Sequence, residues 1–261
     1  MRDWLMLGLI LAVMLALSPV VFAQVGAQAE GTKASAPNLS GIWRIPRRPR
    51  AGYENPGFSI TREEPSMTPW AAAKWKAIRE GPKRNQYDRG NENWDPTEIH
   101  CLPFGPTRPF TKADTPFEII QSPDVVYILF ELREMRRVYM DGRGHPEAWP
   151  FGWMGHSIGK YDGDTLVIDT VGLNDLTWID VMGHPHSDAL HIVERIRRVE
   201  PEVLQVDFLF EDPKAYTKPW TGKRVFELQK GRFTEMLDYL TCEDHLMEEH
   251  LPRLLRGDAK P

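Results

Sequence analysis

The second half of the chain consists of short stretches rich in β-branched and aromatic residues, with turn sequences between them. These stretches are Phe117–Gln121, Val125–Leu132, Met135–Met140, His156–Tyr161, Thr165–Val171, Ala189–Val199, Val203–Phe210, Arg224–Gln229 and Phe233–Tyr239. Asp162-Gly163 is typical of a two-residue β-hairpin turn, and tight turns join antiparallel neighbours. The sequence therefore predicts a mainly β fold, an antiparallel up-and-down barrel, with a β-sandwich as the alternative.

Length and composition limit the class of protein. With 261 residues, 41% of them hydrophobic, the chain is long enough for one large domain and apolar enough for a packed core. A wholly disordered protein is thereby excluded. The formal net charge of −5 argues against a nucleic-acid-binding protein, which would carry a basic surface.

The N-terminus has the pattern of a secretory signal peptide. Arg2 precedes an apolar run of 14 residues, Trp4 to Leu17, and the small-residue sequence Val21-Phe22-Ala23 follows. We predict that residues 1–23 are removed, with cleavage after Ala23 or after Ala29. The run is short for a membrane span of about 20 residues, and no later segment approaches that length. The prediction is a periplasmic or secreted protein with no membrane span after signal removal.

Cys101 and Cys242 are the only cysteines of the sequence. In an oxidising compartment an isolated pair forms a disulfide by default. Because no Cys-His signature lies near either residue, we predict a structural bridge rather than a catalytic thiol.

The region before the β-rich half is proline-rich. Thirteen of the 22 prolines fall between Pro37 and Pro123, and proline interrupts sheet ladders. One helix is predicted inside this region, with Thr68 as the cap and Pro69 at its first position. We therefore expect residues 24–116 to form an N-terminal strand, a proline-rich arm and a short helix packed on a barrel of residues 117–240. Residues 241–261 are predicted to form a helical tail.

Two sets of residues resemble known families. Gly41 and Trp43 form the Gly-x-Trp of the lipocalin and wider calycin signature, in which the Trp closes one end of the barrel. The segments Gly155–Thr170 (GHSIGKYDGDTLVIDT) and His186–Arg195 (HSDALHIVER), with Glu211-Asp212-Pro213, resemble a family of uncharacterised secreted bacterial proteins. That resemblance implies a lipocalin-like barrel and no known reaction.

Histidines and acidic residues gather in the second half of the chain. The candidate catalytic residues are His156, His186, Asp188 and His191, because imidazole and carboxylate groups exchange protons near neutral pH. The same His156, His186 and His191 could instead hold a divalent metal, although their spacing matches no specific zinc pattern. A third interpretation places His184 and His186 in a polar surface loop, with His156 hydrogen-bonded beneath it. Since side chains alternate along a strand, His191 and Glu194 are expected on opposite faces.

Aromatic and basic side chains near these histidines are candidates for ligand binding. Trp149, Phe151 and Trp153 could form the apolar wall of a small-molecule pocket, or could plug a barrel end. Arg195 could clamp a carboxylate, or could lie on a solvated face. Five alternating charges are interpreted as cross-strand ion pairs on an outer surface: Glu131, Arg133, Glu134, Arg136 and Arg137.

The leading functional hypothesis is a barrel that binds a small, partly apolar molecule in its interior. The alternative is an enzyme on the same barrel, a hydrolase, lyase or isomerase that uses the His/Asp cluster, with or without a metal. A third hypothesis makes the proline-rich arm a protein-interaction surface. The sequence does not decide among them, because one fold hosts carriers and enzymes alike.

Overall fold

A computed structural model describes residues 36–48, 51–80, 102–112, 115–131, 134–148, 150–231 and 235–236. The predicted signal peptide, Cys101 and Cys242, Trp149 and the predicted helical tail all lie outside the described residues, as does most of the predicted strand 233–239. Among the described residues, no helix combines the length and apolarity needed to cross a membrane.

The described residues form a closed β-barrel, as predicted, in which the strands follow one another in chain order. Its strands are β1 (Gly41–Arg44), β2 (Phe117–Gln121), β3 (Val125–Phe130), β4 (Met135–Tyr139), β5 (His156–Asp162), β6 (Thr165–Val171), β7 (His191–Glu200), β8 (Val203–Glu211) and β9 (Trp220–Leu228). The barrel closes where β1 pairs with both β2 and β9. A strand from before the proline-rich region thus completes the barrel of the second half.

One pair of strands departs from the predicted antiparallel arrangement. β4 and β5 are parallel, with Val138 opposite Ser157 and Tyr139 opposite Ile158. The connection between them, residues 140–155, is long enough to return the chain to the end of the barrel where β4 began. The up-and-down prediction is therefore wrong at this pair, and the barrel is mixed.

The interior of the barrel is packed with aromatic and aliphatic side chains. Phe110 lies on a short 3₁₀ helix, Arg108–Thr111, and is fully buried. Its ring centroid lies 4.8–5.9 Å from those of four strand residues, Phe117, Phe130, Phe208 and Phe226. These rings belong to one continuous core cluster that includes residues of every strand except β5.

A polar cluster is also enclosed by the strands. The Arg136 guanidinium donates to the Glu194 carboxylate, to Ser157 Oγ at 3.0 Å and to Thr170 Oγ1 at 2.6 Å. The side chains of Arg136 and Glu194 are 1% and 0% exposed. The expectation of an outer ion pair is thus wrong for Arg136, because its register places it on the same face as buried Ile128.

The predicted helix is confirmed as α1 (Pro69–Glu80). Thr68 caps it through a contact of 3.4 Å from the Ala71 N–H to Thr68 Oγ1. The chain before α1 is tied to β9, since the Lys223 N–H donates to the carbonyl of Ile60 at 2.9 Å. The segment around Ile60 therefore lies against β9, while Phe110 from the same proline-rich region enters the core.

Trp43 of the Gly-x-Trp sequence is fully buried on β1. Its indole N–H donates to the Leu39 carbonyl at 2.9 Å, and the Arg198 guanidinium lies 5.3 Å from its ring centroid.

Candidate functional site

A cleft outside the barrel brings exposed aromatic rings together with polar side chains. It has a volume of about 470 Å³, and we call it the aromatic cleft; its lining residues are Trp70, Phe151, Asn174, Asp175, Ser187, Asp188 and Lys214. All of these residues belong to α1 or to loops, and none lies on a barrel strand. The volume falls within the range of about 300–1,000 Å³ that is usual for small-molecule sites.

Trp70 and Lys214 meet because the start of α1 is bonded to the loop after β8. The Thr68 N–H donates to the Ala215 carbonyl at 2.8 Å, and Thr68 Oγ1 donates to the Lys214 carbonyl at 2.9 Å. Ala71 packs into the core, whereas Trp70 stays 44% exposed. The cap of the helix thereby fixes one wall of the aromatic cleft.

A second short pairing places Phe151 opposite Asn174 and Asp175. The Gly152 N–H donates to the Gly172 carbonyl, and the Asn174 N–H donates to the Gly152 carbonyl, each at 2.9 Å. Phe151 remains 61% exposed. A large apolar side chain so exposed has no packing role and is available to a ligand.

Asp212 positions the remaining wall of the cleft. Its buried carboxylate accepts from the Ser187 N–H and from Ser187 Oγ, both at 2.7 Å. The neighbouring Asp188 pairs with Lys214 at 2.5 Å, and the hydrogen bond from Lys214 holds the pKa of Asp188 below its usual value. Within the described residues, the Asp175 carboxylate makes no such bond.

A second polar site, on the outer wall of the barrel, is a row of hydrogen-bonded side chains from the β4–β5 loop and strands β5 to β8. We call it the histidine network; in order it contains His156, His145, Asp169, His191 and Glu211. The two histidine Nδ1 atoms of His156 and His145 are 2.8 Å apart. His145 Nε2 and His191 Nε2 each lie 3.0 Å from the same Asp169 oxygen.

The direction of some hydrogen bonds in the histidine network follows from what its atoms can donate. A carboxylate only accepts, so His145 donates to Asp169 from Nε2, and between the two Nδ1 atoms of His145 and His156 one donates and the other accepts. His191 places both nitrogens against carboxylates, because its Nδ1 lies 2.8 Å from Glu211.

His156 is the buried end of the network. Burial lowers its pKa, and the charges of His145 and Arg143 lower it further. Its ring stacks on Tyr139, with the centroids 5.4 Å apart. A neutral His156 can accept at Nδ1 from His145, the arrangement in which the charge of His145 lowers the pKa of His156.

The other histidines of this region have separate environments. His186 is buried, with Nε2 2.7 Å from Thr177 Oγ1 and Nδ1 3.0 Å from the Ser187 carbonyl. Burial lowers the pKa of His186, so the ring is neutral and donates to the carbonyl. Both ring nitrogens of His186 thus have hydrogen-bond partners in the core, and neither of these bonds joins it to the histidine network.

His184 is held between two carboxylates. Its Nδ1 lies 2.7 Å from Asp180 and its Nε2 2.9 Å from Glu64, with Trp75 stacked beside it at 6.0 Å. Burial opposes its charge, but the bonds to Asp180 and Glu64 prevail and raise the pKa of His184. The result is a buried imidazolium that ties the arm to the 180s loop.

No family model, no curated protein and no solved structure matches the chain.

The predicted site residues are thus divided. His156 and His191 share the histidine network, joined through His145 and Asp169, while Asp188 and Phe151 share the aromatic cleft. Arg195 lies on the outer face and pairs with exposed Asp162 at 2.8 Å. Trp153 is half-buried.

Metal binding by the predicted set receives no support from the geometry. Among the described residues, no group of three or more His, Cys, Asp or Glu side chains is arranged to hold a metal ion. His156 and His191 lie at different positions along the histidine network, and His186 is bonded elsewhere.

Several residues of both sites were not predicted. Asp169 carries a detectable signal, since it is the charged residue on the outward face of the otherwise apolar and threonine-rich β6. No sequence signal marks Trp70, Asn174 or Lys214 as site residues, because backbone pairings between segments distant in sequence bring them to the cleft.

Proposed function

We propose that this protein binds a small, partly apolar molecule in the aromatic cleft. The observation that carries the proposal is the exposure of Trp70 and Phe151 on one cleft that also holds five polar side chains. A concave site with an apolar wall and a few polar groups is the usual form of a ligand site. A small, partly apolar ligand is also the class expected from the sequence. The proposed binding site, however, lies outside the barrel and not in its interior.

The packing of the barrel supports this location. The rings around Phe110 occupy the described interior, so a ligand there would have to displace core side chains. A ligand in the aromatic cleft displaces only water. We further propose a lipocalin-like relationship and a location outside the cytoplasm, supported by buried Trp43 on β1 and by the N-terminal sequence pattern.

The experiment is saturation-transfer NMR of the mature chain with six probes. The probes are indole, benzyl alcohol, benzylamine, benzoate, cellobiose and N-acetylglucosamine. We expect saturable binding of at least one probe, lost in both Trp70→Ala and Phe151→Ala. Phe58→Ala is the matched control, since Phe58 is 54% exposed and does not line the cleft. Absence of binding, or binding that survives both cleft substitutions, would overturn the proposal.

A second candidate function is acid–base catalysis by the histidine network. It is favoured by the unbroken row of hydrogen bonds from His156 to Glu211, in which two imidazoles flank one carboxylate. Such a row exchanges protons in hydrolysis, hydration or isomerisation. The test follows a bound probe by ¹H NMR for product formation in the wild type, His145→Gln and His191→Gln. Product in the wild type that both variants fail to form supports catalysis; no product, or equal product in all three, contradicts it.

A further inference from the structure

The hydrogen-bonding inventory of the aromatic cleft identifies a class of ligand, and this step rests on the proposed function above. From it we propose that the ligand is a neutral sugar or short oligosaccharide.

The aromatic rings provide apolar faces rather than a deep pocket. Trp70 and Phe151 are 44% and 61% exposed. Lys74 Nζ lies over one face of the Trp70 ring, 5.2 Å from its centroid, so a ligand would stack on the other face or on Phe151. An exposed ring face suits a ligand that is itself flat and apolar on one side. A pyranose ring has such a side, formed by its C–H groups.

The polar groups of the cleft demand both donors and acceptors from the ligand. Carboxylates of Asp175 and Asp188 only accept, the Lys214 ammonium only donates, and the Asn174 amide does both. Ser187 is engaged by Asp212, and the Asn174 oxygen accepts from the Leu176 N–H at 3.2 Å. Hydroxyl groups donate and accept from one atom, so adjacent sugar hydroxyls match this mixture.

The charge of the lining disfavours the competing classes. Lys214 is already paired with Asp188. A second ammonium accompanies the other carboxylate, since Lys74 Nζ lies 3.4 Å from the Asp175 backbone carbonyl oxygen. An anionic ligand would have to take Lys214 from Asp188. A cationic ligand would pair with Asp175 but would offer no acceptor to the Asn174 amide N–H groups.

The test measures affinity by isothermal titration and NMR with matched probes. The neutral probes are cellobiose, maltose and N,N′-diacetylchitobiose; phenethylamine and phenylacetate supply the two charges. We expect at least one disaccharide to bind, with an affinity that stays constant between about 50 and 500 mM salt because no net charge is neutralised.

Four cleft variants and one control identify the contacts. Trp70→Ala and Phe151→Ala should each weaken the disaccharide roughly tenfold, as removal of a ring contact does. Asp175→Leu, which removes both acceptor oxygens, should weaken it by a similar factor, whereas Asp175→Asn should keep most of the affinity because an amide still bonds hydroxyls. Phe58→Ala should leave it unchanged.

The outcomes separate the two proposals. Binding of phenethylamine or phenylacetate at the cleft, with none of the three disaccharides bound, overturns the sugar assignment and leaves the cleft as a ligand site. Binding of no probe of any charge overturns both. Disaccharide binding that Trp70→Ala and Phe151→Ala leave intact also overturns the sugar assignment, because the sugar then sits elsewhere.

Discussion

Arg136 and Glu194 form an ion pair inside the β-barrel, with side chains that are 1% and 0% exposed. Taking both charges out of water is costly, and their mutual attraction together with the hydroxyls of Ser157 and Thr170 offsets that cost. Removing one partner leaves the other charge buried and uncompensated. The pair therefore links β4 to β7 across the packed interior.

Substitution of Glu194 by Leu is expected to lower the free energy of unfolding by about 3–5 kcal/mol, because Arg136 is left buried with its charge. The double variant Arg136→Met/Glu194→Leu should lose less than the single variant. Urea denaturation measures both. Arg195→Met, which breaks the exposed pair with Asp162, is the control and should leave stability nearly unchanged. A double variant that is less stable than Glu194→Leu would contradict this account.

Much of the barrel could be predicted from local patterns. The hairpin between β5 and β6 follows from Asp162-Gly163, where Gly163 takes φ +60° in the turn. The alternation along β7 places His191 outside and Glu194 inside, as expected. The parallel pairing of β4 and β5 was not predictable, because residues 140–155 carry no pattern that specifies where the chain returns.

The candidate sites were predictable only in part. His156, His191, Asp188 and Phe151 were found from residue type, but their division between two sites depends on tertiary contacts. Trp70 lies far from Lys214 in sequence and meets it through backbone bonds to Thr68 and Ala215, which leave no trace in side-chain identity.

The stability of the protein should depend on pH through His184 and Asp180. The folded pKa of His184 is raised, so its contribution is present below its unfolded value of about 6.5 and is lost as the pH rises through the folded pKa. Burial opposes the charge of Asp180, but its bonds to His184 and Ile60 lower its pKa. Its contribution is therefore present above about pH 3.9 and is lost as the pH falls through the folded pKa.

Urea denaturation of the wild type and His184→Gln from pH 3 to 9 checks this. The difference in free energy of unfolding should be largest, about 2 kcal/mol, between roughly pH 4 and 6.5, and should shrink on both sides. In Asp180→Asn, the difference in free energy of unfolding should no longer shrink as the pH falls. A difference that grows above pH 8 would refute the assignment of His184 as an imidazolium.

His145→Gln is expected to raise the pKa of His156 only in part. Burial, the largest cause of the lowered value, persists in the variant, and only the charge of His145 is lost. NMR titration of the imidazole C–H signals gives the pKa directly. Arg197→Gln, on the outer face of β7, is the control and should leave it unchanged. A wild-type His156 pKa at or above about 6.5 would contradict the lowering that burial and the charges of His145 and Arg143 produce.

Gly222→Ala is expected to destabilise the contact between the arm and β9. A Cβ at Gly222 would lie 2.7 Å from the Ile60 carbonyl oxygen, which is backbone and is held by the Lys223 N–H. The arm must then shift, at a cost of about 1–3 kcal/mol, the usual range for overpacking. Gly144→Ala is the matched control, because no atom lies within 4 Å of its added Cβ and its φ is not positive. Thermal denaturation should show a lower Tm for Gly222→Ala alone, together with faster proteolysis of residues 51–64. Equal Tm values for the two variants would mean that Ile60 does not pack on β9 as described.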